Sequence, residues 1–232
     1  INDIFMKIIS FAISTLMAIM PMSVCLDEQT GFLVDSDRPS IICLTGRGDN
    51  FKEDITIEIN TLGEKVIIEP IHDSGYQPKV FGGNFLNNGL EQLLYSVDSG
   101  GSGGYNFYEL YSIKNGEGVL IFNSDNFLPI VSAKYINEDI IEIDYQGQKL
   151  YMGYTGESCN ENNCEIFISS VNSILPYYNI SLDRYYLQVL QKVYGGFTAN
   201  NYGYISSLLQ INEDGYDIIN IGILSNFDYV NL

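Results

Sequence analysis

With one histidine, no tryptophan and four cysteines in 232 residues, the chain lacks most catalytic side chains before any motif is sought. A Ser-His-Asp or Cys-His site would have to use His72. That residue lies in Pro70-Ile71-His72-Asp73-Ser74-Gly75, a turn sequence in which the imidazole is expected to face solvent. No nucleophile elbow, zinc-protease helix or phosphate loop is present. The glycine run Gly100 to Gly104 passes into Tyr105-Asn106-Phe107-Tyr108, a strand pattern that offers no helix N-terminus to an anion. Positive charge is scarce as well: 11 Lys plus Arg stand against 29 Asp plus Glu, a net charge of −18 that repels phosphate backbones and anionic lipid. Nucleic acid is therefore not an expected partner. Charged residues reach only 17%, below the roughly 25% of an average soluble domain. The 18 Tyr and 22 Gly that take up much of the difference suit strands joined by tight turns.

The apolar run near the start, Ile8 to Met20, follows Met6-Lys7 and precedes Pro21, with Ser23 and Cys25 as small residues at the −3 and −1 positions of a cleavage site. This is the three-part pattern of a secretory signal peptide, and it is shorter than the roughly 20 residues of a membrane-spanning helix. The pattern predicts a leader over 1–25, a single domain over 26–232 and a secreted or cell-surface location without an integral membrane span. A lipid anchor on Cys25 is the less favoured alternative, because Met22-Ser23-Val24 is a poor lipobox. Cys159 and Cys164 bracket the polar turn Asn160 to Asn163, and an oxidised pair is expected there. Cys43, in Ile41-Ile42-Cys43-Leu44, reads as a buried free thiol.

From residue 31 onward the apolar period is two. Ile55, Ile57 and Ile59 alternate with Thr56 and Glu58, and Ile141 and Ile143 with Glu142 and Asp144. Strands are expected on the same ground over Leu90–Val97, Tyr105–Ile113, Leu150–Tyr154, Cys164–Ser169, Tyr185–Val193, Tyr202–Ile211 and Tyr216–Leu224. Asn115-Gly116, Gln146-Gly147 and Asp214-Gly215 are hairpin signals between them. A unit of strand, glycine loop and Tyr-rich strand occurs twice, from Leu90 to Ile113 and from Leu187 to Ile211. These features predict an all-β repeat domain, a small β-propeller of four or five blades, with a β-sandwich as the alternative.

On Leu44-Thr45-Gly46, Gly75-Tyr76-Gln77-Pro78, Gly83-Asn84-Phe85, Val97 through Tyr105, and Gln191-Lys192-Val193 to Gly203-Tyr204, the chain resembles the bacterial FG-GAP/VCBS-repeat proteins, in a variant built around an SGGSGG loop. The likeness runs from about Gly31 to Ile211 and implies propeller blades like those of integrin heads, without enzymatic activity. It also implies calcium loops of the form D-x-x-G-D-G. Here Asn84, Asn88 and Gln92 put neutral amides at acidic positions, and Asp183 is the one carboxylate of the Tyr178–Asp183 stretch. Asp35 and Asp37, beside Arg38, and Asp214 and Asp217, in a short calcium-like loop, are the candidate metal ligands, and folding without calcium or any other cofactor is expected.

One enzymatic route stays open, a carbohydrate-active hydrolase using paired carboxylates. Glu109, on the face of Tyr105, Phe107 and Tyr111, is its best buried acid, with no partner evident. Arg47-Gly48-Asp49 matches an adhesion tripeptide in a turn. The favoured reading is a non-catalytic binding or envelope-associated module for an unknown glycan or protein. Its candidate ligand residues are Ser99, Gly100, Gly101, Ser102, Gly103, Gly104, Tyr105, Tyr194, Phe197 and Tyr202. A purely structural surface or spore-associated protein is the third reading.

Overall fold

The computed structural model describes residues 24–101, 104–128, 131–154, 165–196 and 200–225. Most of the expected leader, the Cys159–Cys164 pair, Ser102, Gly103 and Phe197 lie outside these residues. Strands form four consecutive up-and-down meanders, all antiparallel. The first comprises β1 (Asp27–Asp35), β2 (Arg38–Arg47), β3 (Phe51–Thr61) and β4 (Glu64–Ile68), and the second β5 (Gly75–Gly83), β6 (Gln92–Asp98), β7 (Asn106–Lys114) and β8 (Glu117–Asn123). The third holds β9 (Val131–Tyr135), β10 (Ile140–Tyr145) and β11 (Gln148–Gly153), and the fourth β12 (Ile166–Asn179), β13 (Arg184–Gly195), β14 (Asn201–Asn212) and β15 (Gly215–Ser225). Among the described residues the only helix is a 3-10 turn at Ser124–Asn126.

Local chemistry explains the turns. Asn115-Gly116 and Gln146-Gly147 both adopt positive φ, as a two-residue hairpin requires, and Lys114↔Glu117 and Tyr145↔Gln148 close the ladders around them. The alternation is equally direct: Ile55, Ile57, Ile59, Ile141 and Ile143 are all fully buried.

The blades of a propeller do not form. Phe51↔Tyr76 and Lys52↔Gly75 join β3 to β5, fusing the first two meanders into one eight-stranded sheet beside sheets of three and four strands. Across that narrow seam the first meander folds onto the second, burying Ile42, Leu44 and Ile57 against Leu93, Tyr95 and Val97. The opposite side chains of the second meander, Leu94, Leu110 and Phe122, bury against Leu187, Val189 and Leu209 of the fourth. Farther along the same long strands, Val193 and Ile205 meet Ile141, Ile143 and Met152 of the third. Hydrophobic cores thus link the meanders in the open order first, second, fourth, third, and no core among the described residues closes a ring. Period two says which side chains leave a sheet on one face; it carries no information on which sheet receives them.

The repeat does appear in the fold, because β6–β7 and β13–β14 are the second and third strands of their meanders. Both edge strands of the last sheet are irregular. Register breaks interrupt β12 between Ile168 and Ser173, and Ile219 is extruded from β15 where Leu208↔Asn220 is followed by Leu209↔Ile218.

The cysteines also depart from expectation. The β1–β2 hairpin returns Cys43 beside Cys25, Cα to Cα 5.3 Å, and the two form a disulfide. Cys43 is not a free thiol, and Cys25 is its partner.

Candidate functional site

Register on β7 places Glu109 opposite Tyr95 of β6 and Asn123 of β8, in the interior of the central sheet, where its side chain is fully buried. Its carboxylate is saturated by donors. Oε1 accepts from the backbone N–H of His72 at 2.9 Å and lies 3.0 Å from His72 Nδ1, while Oε2 accepts from the Ile71 N–H at 2.9 Å and from the Tyr111 hydroxyl. Tyr95 donates to the His72 carbonyl at 2.8 Å. Burial first, and then the Glu109 carboxylate, push the Tyr95 and Tyr111 phenols up, so both remain protonated donors. The connection between β4 and β5 is thereby pinned to the sheet beneath it.

His72 is not the solvated turn residue its sequence suggests. Its side chain is 19% exposed, its ring stacks on Phe107 at 3.7 Å, and Nε2 lies 3.2 Å from Asp125 Oδ2. Both ring nitrogens thus face carboxylates. The expected burial of Glu109 is found, together with the partner that sequence reasoning missed. The missing signal is distance along the chain, since Glu109 and His72 stand 37 positions apart. Chemically, the arrangement orders a loop: Glu109 has no exposed surface, and His72 separates it from the half-exposed Asp125.

A second constellation surrounds the glycine loop between β6 and β7. Asp98 Oδ1 accepts from the Gly100 N–H at 2.8 Å, and the Ser99 N–H donates to the Tyr105 carbonyl at 3.0 Å. Gly100 has φ +74°, and a Cβ there would lie 2.3 Å from the Tyr76 ring, so both the conformation and the close approach demand glycine. Tyr76 meets Phe51 edge-on at 5.2 Å. On the other side, the Gly104 carbonyl accepts from Asn172 Nδ2 of β12 at 3.1 Å. Tyr105, its phenol pushed up by desolvation and then by Tyr194, stands next to that residue, whose ring stacks on Phe167 at 5.6 Å. Phe51 and Tyr76, at the Gly100 side of the loop, and Tyr105, Tyr194 and Phe167, at its Gly104 side, thus make an aromatic row that flanks the glycine loop. Phe51, Tyr76 and Phe167 are each about 40% exposed. Tyr202, grouped with Tyr105 and Tyr194 by sequence, belongs instead to the core: it is 4% exposed, its hydroxyl lies 3.2 Å from that of Tyr135, and its ring packs on Tyr154 at 4.9 Å.

The candidate metal ligands do not assemble into a cage. Asp35 accepts from the Asp37 N–H at 2.8 Å and pairs with Arg38, and these contacts, in that order, hold its carboxyl below the usual range. Asp214 sits at the β14–β15 turn, and Asp217 accepts from Asn212 Nδ2 at 2.7 Å. Where the resemblance implies a calcium loop, Gln92 is buried and knits the loop itself. Its Oε1 accepts from the Phe85 and Leu86 N–H groups and its Nε2 donates to the Leu90 carbonyl, each at 2.8 Å. An amide that both accepts and donates closes this loop from inside. Among the described residues no group of three or more His, Cys, Asp or Glu is placed to hold a metal ion.

The chain is thus an all-β protein of three antiparallel sheets with an aromatic and glycine surface. No protein-family model matches it, and no solved structure does. It is similar to the uncharacterized protein YybI of Bacillus subtilis (strain 168), at 25% identity over 161 residues that cover 61% of this chain and 60% of that protein. The chain spans about three fifths of that relative's length.

Proposed function

We propose that the chain is a non-catalytic module that works outside the cytoplasm and binds a neutral, extended ligand along the aromatic row at the glycine loop. The observation that carries this reading is the convergence of Tyr105, Tyr194 and Phe167 from two different sheets beside the glycine loop. Flat amphipathic rings beside a loop without bulky side chains suit an uncharged sugar chain or an extended peptide. The Cys25–Cys43 disulfide supports an oxidising location, and the net charge of −18 disfavours anionic ligands. Saturation and complete burial of Glu109 support a structural role over general acid catalysis. The repeated strand, glycine loop and Tyr-rich strand, on which the FG-GAP/VCBS likeness rests, supply both sides of the surface. The test is retention of the intact protein on arrays of neutral glycans and peptides, with Tyr105→Ala and Phe167→Ala alongside. Loss of retention at unchanged Tm is expected; undiminished retention in both variants would remove the aromatic row from the reading.

A further inference from the structure

We propose that the ligand is a neutral polysaccharide, and that a second subsite for it lies in the groove on the outer face of the fourth meander. This proposal rests on the binding-module reading above. The groove is lined by Tyr177, Gln188, Ser206, Leu208, Asn220 and Gly222, with Leu224 at one end. None of these residues is charged.

That neutrality departs from the rest of the chain. Of 29 acids in the whole sequence, the strands β12 to β15 contain only Asp217. Lys192, on the same outer face, stands beyond the groove in the row of Tyr204. An acidic surface excludes anions everywhere, but an uncharged strip within it removes the ionic handle for any charged ligand while leaving hydrogen bonds available.

Register fixes the geometry of the strip. Gln188, Leu208 and Asn220 form one row across three strands, and Leu190, Ser206 and Gly222 form the next. Adjacent strands are roughly 5 Å apart, and same-face neighbours along a strand roughly 7 Å. Gly222 is the floor, since a Cβ built there would meet nothing within 4 Å. Gln188 Nε2 donates to Ser206 Oγ at 3.0 Å, which holds the amide across the groove.

The backbone groups beneath this face are already spent in the β13–β14–β15 ladders, so a ligand must be read by side chains. An extended peptide recognised through its main chain seeks a strand edge instead. Gln188, Asn220 and the Ser206 and Tyr177 hydroxyls each donate and accept, as sugar hydroxyls do, and the half-exposed Tyr177 ring offers a flat face for a sugar's C–H side. Phe167 and Tyr194 occupy the same sheet face nearer the glycine loop, so one chain can run from the aromatic row into the groove.

The experiment is calorimetric titration of the intact protein with cellohexaose, chitohexaose and laminarihexaose as neutral probes and with polygalacturonate as the anionic one. At least one neutral hexamer should bind and polygalacturonate should not. Gly222→Tyr, which fills open space, should keep the parent's Tm and weaken binding by about tenfold or more, and Gln188→Ala should weaken it in the same direction. If both variants bind as the parent does while Tyr105→Ala does not, the groove is refuted and the module reading survives. Binding of polygalacturonate alone, or of peptides but no hexamer, overturns the polysaccharide. If the protein self-associates and Gly222→Tyr abolishes that association, the groove is an interface between copies and the proposal falls.

Discussion

Glu109 and Glu142 are both nearly inaccessible to water, and their neighbours decide what each contributes. Glu109 receives neutral peptide and phenol donors besides His72, whereas Glu142 on β10 is held by the Lys149 and Lys134 ammonium groups, with N to O distances of 3.1 Å. Lys149 first and Lys134 second hold the Glu142 carboxyl below its ordinary value of 4.5. A carboxyl depressed in the folded state contributes stability that is complete above the unfolded value and fades as pH falls through the lower folded one. Glu142→Gln should therefore flatten the acid limb of the stability curve below about pH 4.5, read as Tm against pH; an unchanged limb would show that the two lysines are only surface neighbours. At Glu109 the effect is of another kind. Hydrogen bonds to a charged group contribute roughly 1.5–3 kcal/mol each, so Tyr111→Phe should cost about 2 kcal/mol in urea unfolding. Glu109→Gln, which turns an amide N–H₂ toward groups that are themselves donors, should cost more. A Glu109→Gln protein as stable as the parent would mean that the β4–β5 connection is not anchored through this carboxylate.

Among the elements, the β1–β2 hairpin carries the clearest covalent consequence. Its disulfide spans 18 positions, and a loop of this order contributes about 3 kcal/mol by restricting the unfolded chain. Cys43→Ser should lower stability by about that amount, and alkylation without reductant should leave Cys25 and Cys43 unlabelled in mass mapping; a labelled Cys43 would refute the bond. A sulfur in a disulfide is not available for acylation, so the same result bears on a lipid anchor at Cys25. The strands themselves were largely legible. Ile55, Ile57 and Ile59, or Ile141 and Ile143, state their own buried face, and Asn115-Gly116 states its own turn. The turn at Leu62-Gly63 was not foreseen, because a leucine at φ 46° announces nothing in composition. Two of the five rings in the aromatic row, Tyr105 and Tyr194, were legible through the repeat, which related the loop before Tyr105 to the loop after Tyr194. Phe51, Tyr76 and Phe167 were not, since they arrive from strands whose neighbours only the tertiary packing selects.

On the scale of the whole molecule, the central meander is covered on both faces, which is why Leu93–Val97 reads as an apolar run broken only at Ser96 while outer strands alternate. Its amides should exchange with solvent most slowly, and faster exchange in β6 than in β1 would contradict the stacking order. The outermost layers face a different hazard. A charge-poor sheet with strands as long as β12 and β15 offers each copy of the chain a template for adding another copy's strand, and there is little charge of one sign on it to keep copies apart. Its two free edges are the ones broken by irregular register, near Val171 on β12 and at Ile219 on β15. An edge kinked in this way cannot accept a regular ladder over its full length. The neutrality that leaves the outer face open to an uncharged ligand is thus kept from becoming a route to fibrous self-assembly by shape, where the rest of the surface relies on mutual repulsion.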